Sequence, residues 1–247
     1  MIDAYAYIGF WPYWPIKVRK TADLIKLMDK WSIDKAVVSS TRSIFTPNVE
    51  DGNQEVYEAV KEFPDRLIGC AVVDLGNEES ALKQIDRALE SGMRGIRLYP
   101  LYHGYSLRKV SPRVFNKLIE SSLPVIVPYR IIMNWGLPRL QPEEIEFLLK
   151  SLSDIDVVIC AGNYGELAPT LELLRKNDNA YFETSCLQVW GGVEYLAKTV
   201  GADRTLLGIG VPLQYPACGI TKVQHADISD KERELILSDN AKRIFKV

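Results

Sequence analysis

A (β/α)8 barrel is the fold this chain predicts, and three observations predict it. Short apolar runs alternate with amphipathic helical stretches, and the alternation repeats eight times. The length, 247 residues, suits one closed barrel of parallel strands rather than an open doubly wound sheet. No internal repeat, low-complexity tract or long linker interrupts the alternation, so residues 1–247 read as a single domain.

The elements follow in order. Residues 2–8 have a period of two, with Ile2, Ala4, Ala6 and Ile8 on one face and Asp3, Tyr5 and Tyr7 on the other. Residues 10–15, Phe-Trp-Pro-Tyr-Trp-Pro, cannot continue a regular element through two prolines. Four aromatics in so short a loop suit either a lid over the barrel mouth or a patch packed on neighbouring loops or another subunit. Leu24, Ile25, Leu27, Met28 and Trp31 recur at helical spacing and predict a helix over 21–31 with Thr21 as its N-cap. A strand over 35–40, a polar loop over 41–49 and a helix over 53–63 stopped by Pro64 come next, then a strand over 66–73. The helix over 78–90 ends at Ser91-Gly92, ahead of a strand over 94–99. Helices over 112–121, 142–152, 167–176 and 194–200 alternate with strands over 124–128, 156–161, 179–185 and 204–209. The closing helix spans 229–245, where Ser229 and Glu232 have the spacing of a capping box.

Composition excludes several classes of function. A net charge of −2 gives no reason to expect nucleic acid or an anionic membrane as partner. No apolar run approaches the 18 or so residues a membrane helix needs, and the chain opens on a strand without a basic, apolar leader, so a cytoplasmic location is expected. Cys70, Cys160, Cys186 and Cys218 are far apart and read as reduced thiols. The two histidines, His103 and His225, are too few for a histidine-rich metal centre.

Several segments, in order, resemble one family. Ile2-Asp3-Ala4-Tyr5-Ala6-Tyr7-Ile8-Gly9 resembles an opening strand I-D-x-H-x-H-x-G. Asn53 to Gly69 resembles a run of N, helix, P-D-R and strand, and Gly92 to Pro100 resembles G-x-x-G-I-R-L-x-P, continued by His103-Gly104-Tyr105. Tyr181 to Ser185 resembles Y-F-D-T-S, Gly201 to Gly208 resembles G-A-D-R-I-L-F-G, and Asp239 to Phe245 resembles x-N-A-x-R-L-F. Together they resemble the amidohydrolase superfamily, in its amidohydrolase-related branch of metal-dependent hydrolases and aminocarboxymuconate-semialdehyde-decarboxylase-like enzymes. The resemblance implies a TIM barrel with a metal at its mouth and hydrolysis or decarboxylation at C–N or C–C bonds. It also implies ligand positions, and these are altered here. Tyr5 and Tyr7 stand for the two histidines of strand one. Pro128, or Tyr129 if the register slips, stands for that of strand five. Asn163 stands for that of strand six, and Gly210 for the aspartate of strand eight. Tyrosine is a poor substitute ligand, and the side chains of proline and glycine cannot ligate at all. No metal and no cofactor are therefore expected.

What could still do chemistry follows from strand alternation. Arg97 and Tyr99 should face the barrel interior, because an unpaired charge against the helix layer costs several kcal/mol. Tyr181, Glu183 and Ser185 should do the same on strand seven. Their joint use is either a polar pocket or an Arg97–Glu183 network that merely fills the barrel. His103, just after strand four, could serve with Arg97 as a catalytic pair or be simply hydrogen-bonded, and a Cys186–His103 nucleophile pair is conceivable. Arg42 and Arg130 fall at the mouth and could help Arg97 hold an anionic ligand. Tyr5, Tyr7, Tyr99, Tyr129, Asn163, Glu183 and Gly210 complete the expected lining. The rings of Tyr5 and Tyr7 are expected to lie over Gly208 and Gly210, with Asn163 or Glu183 taking their hydroxyls. Three readings stay open. The first is a pseudoenzyme that binds a small anionic ligand or pairs with another copy or an intact family member. The second is a metal-independent hydrolase or decarboxylase using His103, Arg97 and the mouth tyrosines. The third is a structural subunit with a filled barrel.

Overall fold

The computed structural model describes residues 1–134 and 136–247. The described residues form one eight-stranded parallel sheet in which each strand pairs with the next in sequence. The strands are β1 (Ile2–Ile8), β2 (Lys35–Ser40), β3 (Leu67–Val72), β4 (Gly95–Arg97), β5 (Val125–Pro128), β6 (Val157–Cys160), β7 (Ala180–Glu183) and β8 (Thr205–Leu206). They fall where the sequence places them, trimmed at their ends. The principal helices lie between them and cover the outside, so almost every strand residue is buried.

β8 is too short to close the ring by a ladder of its own. Closure comes from the residues after it. The Ala4 amide donates to the Leu207 carbonyl at 2.9 Å, and the Tyr7 amide to the Val211 carbonyl at 2.8 Å. The Asp3 carboxylate reinforces the join by accepting the amides of Ile209 (2.8 Å), Val211 (3.3 Å) and Tyr5 (3.0 Å). Burial raises the pKa of Asp3, and these amides work against that rise.

The closing helix is fastened to the same seam. It starts at the capping box of Ser229 and Glu232, passes through a wide π-type turn at Leu235–Asp239, and ends as Asn240–Phe245. Within the wide turn the Ile236 carbonyl accepts the Leu207 amide at 2.8 Å. Asn240 donates to the carbonyls of Ala202 and Thr205 at 2.8 and 2.7 Å. Phe245, fully buried, lies 3.3 Å from the position a Cβ on Gly95 would take, so its ring stoppers the N-terminal end of the barrel.

Two local expectations need correction, and one helix is additional. Lys20, not Thr21, is the N-cap of the Thr21–Lys30 helix. The polar loop after β2 contains a short helix, Arg42–Phe45, whose Phe45 packs into the aromatic cluster described below. A helix over Pro216–Gln224 falls in a stretch to which the sequence reading assigns no element; Gly219 lets it approach the segment after β8, since a Cβ there would sit 2.8 Å from Ile209 Cα.

Candidate functional site

In a parallel barrel the strands' C-terminal ends form the mouth, where this architecture keeps its chemistry. Alternation brings Tyr5 and Tyr7 of β1 inward, as expected, together with Arg97 of β4 and Tyr99 just beyond it. The four side chains fill the axis, and Arg97 is 0% exposed. Its guanidinium lies over the rings of Tyr5 and Tyr7, 4.8 and 5.2 Å from their centroids, and donates to the carbonyls of Ala6 (3.2 Å) and Val37 (3.4 Å). The rings of Tyr5 and Tyr7 meet edge to face at 5.1 Å. Tyr99 donates its hydroxyl to that of Tyr7 at 3.2 Å, Tyr7 donates to the Ile131 carbonyl at 3.4 Å, and Tyr5 to the Arg130 carbonyl at 3.1 Å. Burial pushes all three phenols up in pKa, so none is available as a phenolate base near neutrality.

The hydroxyl partners are thus backbone carbonyls of the loop after β5, not Asn163 or Glu183. The glycines are covered by other groups too. A Cβ on Gly208 would lie 1.5 Å from Glu183 Oε2, and one on Gly210 2.4 Å from Gln214 Nε2. The space that the tyrosine rings were expected to fill is taken by Glu183 and Gln214. Glu183 does not pair with Arg97. It accepts the amides of Ala161 and Ser185 (2.5 and 2.6 Å) and the Ser185 hydroxyl (2.8 Å), and burial raises its pKa. Arg97 and Glu183 therefore have separate partners, and the guanidinium keeps one buried nitrogen, Nε, without a hydrogen bond.

The other expected residues are not brought into a pocket. Asn163 caps the Tyr164–Lys176 helix, with its side chain accepting the Gly165 amide at 2.8 Å. Tyr129 turns outward to that helix and is hydrogen-bonded to Thr170 at 3.1 Å. Arg130 forms a buried ion pair with Glu166 at 2.8 Å, and Arg139 reaches the same carboxylate from the surface at 2.9 Å. Arg42 lies in the exposed layer and pairs with Glu55 at 3.2 Å. His103 Nε2 is 2.9 Å from the Ser43 carbonyl, which can only accept, so Nε2 carries the proton; burial lowers the pKa of this ring. Cys186 contacts Ser185 and Gln214 rather than His103, and burial pushes its thiol up to about 12, the reverse of what a nucleophile needs. Sequence reasoning missed Lys222, which donates to the carbonyls of Thr184 (2.5 Å), Ser185 (3.2 Å) and Leu187 (3.2 Å) and so fixes the loop after β7; it lies in the helix that the sequence concealed.

Above the axis the filling continues. Tyr99 packs on Tyr102, Tyr102 on Phe45, Phe45 on Trp11, and Trp11 on Trp14, with centroids 5.2–6.3 Å apart. The crevice left beside Tyr99, Pro128 and Arg130 is about 10 Å³, at the lower limit for one water. The large cavity, about 910 Å³, lies outside the barrel, between residues 9–22 and the Val49–Glu62 helix.

These residues do not fit a catalytic metal. The strand-one positions are phenols held by carbonyls, Asn163 is committed to a helix cap, and Gly210 lies against Gln214. Among the described residues no three of His, Cys, Asp and Glu come together as a metal would require.

Comparison with known proteins agrees on the architecture. A family model described as amidohydrolase matches residues 11–247. No curated protein sequence matches the chain. Among solved structures, the 5-carboxyvanillate decarboxylase LigW from Sphingomonas paucimobilis superposes with a TM-score of 0.77 at 14% identity, covering 100% of this chain and 98% of its own. A dihydroxybenzoic acid decarboxylase from Polaromonas, with bound manganese and the inhibitor 2-nitroresorcinol, gives 0.76 at 14% identity over 99% and 96%. A probable 2-pyrone-4,6-dicarboxylic acid hydrolase from Acinetobacter baumannii, with citric acid bound, gives 0.72 at 18% identity over 100% and 99%.

Proposed function

This chain belongs to the amidohydrolase family, and from that premise we propose that it is a non-catalytic member, a pseudoenzyme whose barrel serves as a packed scaffold. One observation carries the reading: Tyr5, Tyr7, Arg97 and Tyr99 occupy the axis where a metal and a substrate would have to meet. The neighbouring decarboxylases and hydrolase act on aromatic or pyrone carboxylates, one of them with manganese bound. Here an arriving carboxylate finds Arg97 enclosed between two tyrosine faces, with room in the adjoining crevice for one water at most. Arg97 therefore acts as an internal cation rather than an anion receptor. His103 is held by the Ser43 carbonyl, which occupies the ring nitrogen that carries its proton.

The test is direct. The protein is purified in the presence of manganese or zinc, its metal content is measured after desalting, and it is assayed with 5-carboxyvanillate, 2,6-dihydroxybenzoate and 2-pyrone-4,6-dicarboxylate. The expected result is neither stoichiometric metal nor turnover. Turnover that scales with protein concentration and is lost on Tyr7→Ala would overturn the proposal.

A further inference from the structure

We infer that the cavity outside the barrel binds an elongated zwitterion of the kind of a short peptide with free ends. Its cationic end lies on the Val49–Glu62 helix and its anionic end on the start of the Thr21–Lys30 helix. The cavity measures about 910 Å³, within the roughly 300–1,000 Å³ of small-molecule sites. Tyr5, Tyr7, Arg97 and Tyr99 do not line it, so the inference stands apart from what fills the barrel axis.

Its apolar wall is the segment after β1. Gly9, at a φ of +90°, turns the chain off the strand, and Pro12 and Pro15 fix the backbone beyond it. Trp11 is buried and braces the segment, with the rings of Tyr13 and Trp14 each 5.2 Å from its own. A wall held in this way is formed before a ligand arrives. Phe10, Tyr13 and Trp14 line the cavity and stay exposed, so they offer ring faces to an apolar body. In the same wall the Trp11 indole holds a buried N–H that has no acceptor among the described residues, and a peptide backbone brings carbonyls.

Two poles of opposite charge line the same space. Glu55, Glu58 and Glu62, spaced i, i+3 and i+7, share one face of the Val49–Glu62 helix. Glu55 is committed, pairing with Arg42 at 3.2 Å and accepting the Ser40 hydroxyl at 2.6 Å. Glu58 accepts only from Gln54, at 3.0 Å, and Glu62 has no ion pair among the described residues. Arg19 and Lys20 make the other pole. They lead into the Thr21–Lys30 helix, whose N-cap, Lys20, makes no side-chain cap bond; its first residues, Thr21 and Ala22, line the cavity as well. The start of that helix adds partial positive charge of its own. Among the described residues no ion pair joins the two poles, and exposed pairs are too weak to draw the walls together. One pole alone would select a simple ion. Both together select a molecule that carries both charges, well apart. Three or four residues of extended chain, at roughly 3.3–3.6 Å each, separate their ends by roughly 10–14 Å.

The experiment is isothermal titration calorimetry of the full chain with the peptides Phe-Gly-Gly and Phe-Gly-Gly-Gly, each with free ends, N-acetylated or C-amidated. The free peptides are expected to bind, and capping either end should weaken them by roughly 5-fold or more. Glu58→Gln/Glu62→Gln should weaken the free peptide by a similar factor and leave the acetylated one unchanged. Arg19→Gln/Lys20→Gln should do the same to the free and the amidated peptide. All four side chains are exposed, so the thermal transition should stay in place. No binding of either free peptide at millimolar concentration, capping without effect, or variants that weaken free and capped peptides alike would each overturn the inference.

Discussion

Tyr7→Phe removes one oxygen from the middle of a hydrogen-bonded relay. Tyr99 donates to Tyr7 at 3.2 Å, and Tyr7 passes its own proton to the Ile131 carbonyl at a long 3.4 Å. The long bond contributes little, so its loss alone is nearly neutral. The larger effect falls on Tyr99, whose hydroxyl is left buried without its acceptor, at a cost of about 1–3 kcal/mol. Removing both hydroxyls in Tyr7→Phe/Tyr99→Phe takes away the orphan with its partner, so the double variant should be no less stable than Tyr7→Phe. The coupling between the two sites should exceed about 0.5 kcal/mol. Urea unfolding gives the four corners of this cycle, and each kcal/mol should also move the thermal midpoint by about 2–4 °C in a chain of this size. Additive single effects, or a Tyr7→Phe variant as stable as the wild type, would show that the phenols are not a coupled unit.

Three further outcomes are expected. Tyr5→His/Tyr7→His/Asn163→His/Gly210→Asp should not regain zinc affinity, because residue 210 has a φ of +78° and Gln214 occupies its side-chain space; a folded variant holding one zinc per chain would show the old site still framed. Burial holds the pKa of His103 below its usual 6.5, so the folded state binds fewer protons there than the unfolded state does. Its stability contribution is then full above pH 6.5 and lost as pH falls below it, and thermal midpoints taken between pH 7.5 and 5 should fall less steeply for His103→Gln than for the wild type. An unchanged slope would locate the pH dependence elsewhere. Arg130→Met should destabilise by about 3–5 kcal/mol, since it breaks a buried pair, whereas Arg139→Met, half out in solvent against the same Glu166, should cost under about 1 kcal/mol. Chemical denaturation that ranks the two the other way would refute the assignment.

Much of the fold was legible because each unit is locally consistent. The strand positions show in their apolar runs, and the capping box at Ser229 is explicit in the residues. The inward direction of Arg97 followed from the cost of placing a charge against helices, and it is inward. Its partners were not legible. Nothing in spacing alone tells a guanidinium lying between two phenol rings from one paired with Glu183, because both satisfy burial. Asn163 reads as a lining residue from its place after β6, while Glu166, three residues on, gives it the spacing of a helix cap. Gln214 over Gly210 could not be foreseen, since it comes from a loop whose path is set by the unpredicted Pro216–Gln224 helix.

The Asp3 join has a consequence of its own. Around the ring, seven of the joints are strand ladders, and the eighth combines two backbone bonds with one carboxylate. A hoop parts where its rivet is. In native-state hydrogen exchange the amides of Ile209 and Val211, held by a side chain and not by a neighbouring strand, should report the lowest opening energy of the barrel wall. Trading Asp3 for asparagine would lower it further, while leaving the amides of β5 and β6 on the far side of the hoop as slow as before.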